Sequence, residues 1–331
     1  MKGAGLLRQN RDMGELLEIL RAKGRMSFAA FMASALYEPK LGYYAQPGRI
    51  RVGAGPDADF ATAENLGGVF AEMVVAAARQ IAGGWMDKGA VFAELGAEPG
   101  SPSVASRACP PFARVLVVPR GEEIPTDAPV VLFSNELFDA QPFHRVVRLG
   151  GVWRECGVEI VGDRAVEVLL DDFTPEVAAF APRLPLDAPE GCRIDLPLSA
   201  EALMAEIAAK ANVVAIVAFD YGLDWDDILL RRPKGTARAY RSQQIADDLL
   251  AHPGGQDITC HVAWDGLENV LRRCGFSQVK MESQEAFFMH HAFDAMQAIL
   301  ARKDIVETSK LRELIHPMRM GSAFQVLSAT R

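Results

Sequence analysis

Cysteine is scarce in this chain and poorly placed for either of its structural uses. The five, Cys109, Cys156, Cys192, Cys260 and Cys274, are odd in number and never spaced as C-x-x-C. A disulfide framework or a structural zinc site needs paired or clustered spacing. They read as reduced thiols, which points to a cytoplasmic protein. Long apolar runs are missing too: the longest, such as VVAIVAF at 213–219, falls far short of the roughly 20 residues that span a bilayer. The opening MKGAGLLRQNRDMGELLEIL lacks a sustained apolar core with a cleavage site, and its Asp12, Glu15 and Glu18 argue against a transit peptide. There is no excess of positive charge. At −8 overall, no global field draws nucleic acid or anionic membrane. Neither G-x-S-x-G nor G-x-x-x-x-G-K-[ST] occurs, so a nucleophile elbow and a phosphate loop are unsupported. His290 and His291 are adjacent, a poor spacing for joint metal ligation, and no metal is expected.

The chain does hold enough apolar residues, half of its 331, for one large domain with insertions or for two domains. Leu16, Leu17 and Leu20 share a helical face, and Ser27 reads as the N-cap of a second helix through FAAFMASALY. Helix returns at about 64–81. The core pattern then changes to short continuous apolar runs at 90–95, 113–118, 129–134 and 213–219. Runs that do not alternate predict strands buried on both faces of a parallel sheet. Between the third and fourth, segments over 143–170 separated by glycine predict an antiparallel meander. Residues 199–211, with Ser199 as N-cap, predict a helix feeding the strand at 213. The expected division is a mostly helical region at 1–85, an α/β core at 86–142 and 195–331, and an inserted meander and linker at 143–194.

Three predicted strand ends carry polar residues: Glu94 with Gly96, SNELFD at 134–139, and FDYG at 219–222. Ligands of open α/β sheets sit outside the carboxyl ends of strands. Together with FMASALYEPKLGYY, DFATAENLGGVFAEM, GTARAYR, QDITCHVAW and LRELIHPMRMGSAFQVL, these segments resemble the MidA-like family of S-adenosylmethionine (SAM)-dependent methyltransferases. The likeness runs in patches from about residue 28 to 327. Mitochondrial members of that family methylate an arginine on a respiratory complex I subunit during its assembly.

The resemblance implies a Rossmann-like class I methyltransferase sheet, α/β in class, with SAM at the turn after the first strand. Glu94, Gly96, Gly100, Asn135 and Thr62 would bind it. Glu136, Asp139 and Asp220 would line the transfer cleft, where carboxylates clamp a guanidinium bidentately. Tyr43, Asp257, His261 and Arg238 would meet the substrate, a protein arginine. For each acid a plainer role stays open: Glu136 capping a helix, Asp139 closing a turn, Asp220 binding backbone amides.

The chain also departs from the family. Glu98 and Pro99 stand where the family has a second glycine and an arginine, and proline has no N–H to donate. After ARVLVV comes Pro119 instead of an acid for the ribose, with Glu122 or Glu123 the nearest substitute. Only PRGEEIPTDA precedes PVVLFS, too little for a helical crossover. Two readings stand: an active SAM-dependent methyltransferase, or a protein of that fold that has lost the cofactor and serves as a binding or assembly factor. RRPKGTARAYR at 231–241 holds five basic residues and no acid. Such a run is usually a solvated loop; as a family-like segment it is expected to be a lid or a partner-docking loop. RNA contact is weakly supported, since only Tyr240 offers a ring to stack.

Overall fold

The computed structural model describes residues 2–46, 66–97, 104, 106, 111–124, 127–241, 244–246, 248–322 and 324–331. Thr62, Glu98, Pro99 and Gly100 therefore lie outside the described residues.

In chain order the helices and strands are α1 (Lys2–Lys23), β1 (Met26–Ser27), α2 (Phe28–Tyr37), α3 (Gly68–Ala82), β2 (Val91–Leu95), β3 (Val115–Val118) and β4 (Val130–Asn135). They continue as β5 (His144–Leu149), β6 (Val152–Val161), β7 (Arg164–Leu169), α4 (Pro175–Phe180), β8 (Arg193–Leu196), α5 (Leu198–Ala208), β9 (Val213–Asp220) and β10 (Gly222–Leu223). Next come α6 (Trp225–Arg231), β11 (Arg238–Arg241), β12 (Gln244–Ala246), β13 (Asp257–Thr259), β14 (Val262–Ala263) and α7 (Trp264–Arg273). The last are β15 (Gln278–Ser283), α8 (Gln284–His291), α9 (Phe293–Ala301), α10 (Ile305–Ile315) and β16 (Gln325–Thr330). All four apolar runs are strands. Ser199 falls inside the first turn of α5 rather than capping it, because the helix begins at Leu198.

The chain divides into two compact units. A sheet unit comprises Ala61–Phe138, Glu201–Gly222 and Trp264–Arg331. A meander unit comprises Met1–Phe60, Asp139–Ala200 and Leu223–Ala263. Residues 61–85 thus group with the sheet, and 223–263 with the meander.

The sheet unit is built on six strands in the order β15-β16-β9-β4-β2-β3. β2, β3, β4 and β9 run parallel, while β16 is antiparallel to both its neighbours. Every residue of β2 and β9 is buried, as expected of a parallel sheet covered on both faces. On one face Phe92, Val131, Phe133, Val217 and Phe219 meet Phe70, Met73 and Val74 of α3 and Phe287 and Phe288 of α8. Phe70 lies edge-on to Phe219 with ring centroids 5.7 Å apart, a favoured aromatic geometry. β3 is an edge strand, and Val117 is 46% exposed there. Among the described residues of 119–129 no helix or strand intervenes before β4, in keeping with the short interval read in the sequence.

The meander unit holds β5, β6 and β7 as the expected antiparallel meander, widened by β8 on β5 and β1 on β6. Ser27 caps α2, its hydroxyl accepting from the Ala30 N–H at 3.1 Å. Phe28, Phe31 and Met32 of that helix pack with Leu16, Leu17 and Leu20 of α1, and with Phe143, Val158 and Ile258. A small sheet, β12-β11-β13, completes the unit. The basic stretch is therefore not a loop throughout. Its last four residues form β11, which pairs with strands on both sides.

Candidate functional site

The chain passes from β2 to β3 on one side and then to β4 on the other, so strand order reverses between β2 and β4. The crevice outside the carboxyl ends of those two strands is the favoured ligand position in such sheets. At the end of β2, Gly96 has φ +79°, and a Cβ there would lie 2.7 Å from Cδ1 of Leu137. The positive φ strains any other residue there, and the Leu137 methyl would have to shift to admit a Cβ. Its N–H donates to the Val118 carbonyl at 3.0 Å. Glu94, buried two residues earlier, accepts from the Val104 N–H at 2.7 Å and so ties down the chain beyond the turn.

Across the switch point, β4 ends at Asn135. Glu136 follows with φ +50°, in a region that costs a non-glycine residue about 1–2 kcal/mol. It caps no helix. Its N–H donates to the Phe219 carbonyl at 2.9 Å, and its carboxylate accepts from Nδ2 of Asn135 at 3.1 Å. Strain of this kind collects at functional sites. Beside it, Ser134 Oγ is buried with no hydrogen-bond partner among the described residues. Asp220 ends β9 fully buried, its Oδ2 accepting from the Phe138 N–H and its Oδ1 from the Tyr221 N–H, both at 2.8 Å. Those bonds match the amide-binding role that the sequence left open.

The other expected residues fall in the meander unit. Asp257 is buried, and its Oδ1 accepts from the Tyr44 hydroxyl at 2.9 Å and from the Ile258 N–H at 2.9 Å. Tyr44 stacks on Tyr37 at 5.3 Å and meets Tyr43 edge-on at 5.0 Å. Desolvation pushes the Tyr44 hydroxyl well above its ordinary range, and the charges of Asp257 and Asp139 add to the shift. Asp139 is buried, and its carbonyl accepts from the Cys260 N–H at 2.8 Å. Arg238 is exposed on β11, one guanidinium nitrogen on the carbonyl of Ala237. His261 follows β13, its Nδ1 buried and without a hydrogen-bond partner among the described residues.

The structure therefore gathers Glu94, Gly96, Asn135, Glu136 and Asp220 at strand ends of the sheet unit, and Tyr43, Asp139 and Asp257 in the meander unit. Sequence reasoning missed Tyr37 and Tyr44, although both lie in FMASALYEPKLGYY. It also missed Asp195, a fully buried acid on β8 that holds Arg145 Nε at 2.7 Å. Burial works against the charge on Arg145, but the ion pair and hydrogen bond with Asp195 outweigh it and raise the guanidinium above its ordinary range.

An open, largely parallel sheet with a glycine turn and a strained acid at its switch point is the architecture of a Rossmann-like class I methyltransferase. A family profile described as "Putative S-adenosyl-L-methionine-dependent methyltransferase" matches residues 116–281. The chain belongs to that family. Among solved structures, it is similar over 98% of its length to a COG1565 superfamily member from Burkholderia thailandensis bound to S-adenosyl-homocysteine, with TM-score 0.83, 24% identity and 94% of that chain covered. A native structure of a COG1565 superfamily protein from the same organism gives TM-score 0.78 at 22% identity, covering 98% of this chain and 93% of that one. Both likenesses establish the fold. In sequence the chain is 28% identical over 222 residues to the mitochondrial protein arginine methyltransferase NDUFAF7 of Danio rerio, covering 62% of this chain and 48% of that protein. It is 24% identical over 229 residues to the NDUFAF7 homolog of Drosophila melanogaster, with 63% and 48% covered. The chain thus spans about half the length of the curated relatives it matches. Among the described residues, no helix is long and apolar enough to cross a membrane.

Proposed function

We propose that this chain is a SAM-dependent methyltransferase whose acceptor is an arginine side chain of a protein. The observation that carries the reading is Glu136, an acid held in the left-handed region at the carboxyl end of β4, beside the switch point. The printed names of the curated relatives support arginine as the acceptor.

The residues present fit the cofactor at the turn. Gly96 keeps a side chain out of the bend, Glu94 secures the chain beyond it, and Asn135, Glu136 and the Ser134 hydroxyl offer polar groups at the adjoining strand end. Gly96, Asn135 and Glu136 would hold it, with Glu122 or Glu123 after β3 nearest for the ribose hydroxyls. SAM, when bound, supplies an electrophilic methyl group on a sulfonium.

The chain's own work is positioning, since transfer needs the acceptor nitrogen in line with that methyl. The Glu136 carboxylate accepts guanidinium N–H bonds and holds the fork in one plane. Asn135 fixes the rotamer of that carboxylate. Asp220 keeps the backbone at 138 and 221 in place.

The reading is tested by incubating arginine-containing peptides with methyl-labelled SAM and hydrolysing the product. Methylarginine is expected, and Glu136→Gln should lower kcat by about 10²-fold or more, on the scale of a lost charged catalytic contact, while SAM still binds. Label on lysine, or full activity in Glu136→Gln, would contradict it.

A further inference from the structure

The basic segment of the meander unit is fastened rather than loose. Its Pro233 carbonyl accepts from the Arg193 N–H at 2.9 Å, and Lys234 bridges Arg193 in parallel fashion, so the chain runs along β8. Asp195 Oδ2 then accepts from the N–H groups of Thr236 and Ala237 at 2.7 and 2.8 Å. Gly235, at φ +77°, lies so close that a Cβ would come within 2.2 Å of that oxygen. Thereafter β11 is locked between β12 and β13, with Arg238 opposite Thr259.

Of the five charges on this segment, four meet no carboxylate among the described residues. Arg145, Arg193 and Arg231 nearby each meet a carboxylate, at 2.7, 2.5 and 2.9 Å. Among the described residues Arg232, Lys234, Arg238 and Arg241 meet none, and the first three are exposed. Asp195, the acid nearest the segment, is fully buried and already accepts from Arg145 and two amides. His261 stands next to them. Burial, with the charges of Arg238 and Arg232, pushes its imidazole below the ordinary range, so it adds hydrogen-bonding capacity without charge.

We infer that Arg232, Lys234, Arg238 and Arg241 form a preorganised docking surface for an acidic segment of the protein acceptor. The inference rests on the reading of the chain as a protein methyltransferase. Charge complementarity selects the occupant. A chain of net charge −8 repels a polyanion as large as a nucleic acid or an anionic membrane at long range, but not a short acidic stretch on an otherwise mixed protein surface. Single-stranded RNA also needs exposed rings to stack on, and Tyr240, the one aromatic of the stretch, is only partly exposed. Because the backbone is already fixed, docking orders few groups beyond the side chains themselves.

Fluorescence anisotropy with labelled peptides tests this. One peptide has a single arginine flanked by glutamates, its counterpart has serines in place of the glutamates, and a uridine oligomer serves as the nucleic-acid probe. The expected result is glutamate-peptide binding about tenfold tighter than serine-peptide binding, weakening with salt as steered charge contacts do. Combined Arg232→Glu, Lys234→Glu and Arg238→Glu should erase that preference, and the corresponding glutamine variant, gentler on folding, should reduce it. SAM titration of the same proteins separates the two readings. SAM binding with no preference for the acidic peptide, a preference unchanged in both variants, or tighter binding of the uridine oligomer overturns the docking surface alone. Failure of the unaltered chain to bind SAM overturns the methyltransferase reading, and the acceptor surface with it.

Discussion

Gly96 and Glu136 share the left-handed region of backbone space on opposite terms. Glycine adopts φ +79° without strain, and a Cβ there would displace the Leu137 methyl. Gly96→Ala should therefore destabilise the protein by about 1–3 kcal/mol, read as a lower urea midpoint; a change under about 0.5 kcal/mol would show that the turn relaxes freely. Glu136 adopts φ +50° at a cost, which the surrounding hydrogen bonds to Phe219 and Asn135 offset. Tyr44 supplies a pH test. Its folded pKa is raised, first by desolvation and then by Asp257, so the native state favours the protonated hydroxyl. That contribution is complete below the unfolded value of about 10 and is lost as pH rises beyond it. Denaturation midpoints measured up to about pH 11 should fall less steeply for Tyr44→Phe than for the unaltered chain. Equal slopes would mean that Tyr44 titrates alike in both states.

At the scale of elements, α10 depends on an exposed cap. Asp304 accepts from the N–H groups of Val306 and Glu307 at 2.8 and 2.9 Å, and Leu311 and Leu314 bury the inner face of the helix. Asp304→Ala should cost about 1 kcal/mol in thermal or urea unfolding and leave SAM affinity unchanged. Loss of SAM binding in that variant would tie α10 to the cofactor site.

The elements also show where the sequence was legible. AVFAEL, PVVLFS and VVAIVAF read as doubly buried strands because no polar residue interrupts their apolar runs before the final positions, and they are β2, β4 and β9. QVLSAT, which becomes β16, mixes serine and threonine into its run, so its place between β9 and β15 did not stand out. RIDL, as β8, is too short for periodicity to register, and with it Asp195 was missed. The positive φ of Glu136 has no signature in residue type, since glycine is the usual occupant of that region. NELFDAQP was informative through likeness to a family, not through composition.

For the whole molecule, the four parallel strands of the sheet follow from the apolar runs, and its two antiparallel members, β15 and β16, do not. The position of β3 as an edge strand follows from the short interval before β4. The pairing of chain segments was less legible. Residues 223–263 join the meander unit through the strapping of 233–237 along β8, a contact made by backbone amides and one buried acid, and such contacts leave no periodic trace.

On the proposed reading, a cofactor site persists beside Gly96 despite that short interval. Calorimetric titration of the purified chain with SAM and with S-adenosyl-homocysteine tests it most directly. Micromolar binding of both, abolished by Gly96→Arg in a protein that still unfolds cooperatively, is the predicted result. No heat and no thermal shift from the folded, unaltered chain would contradict it.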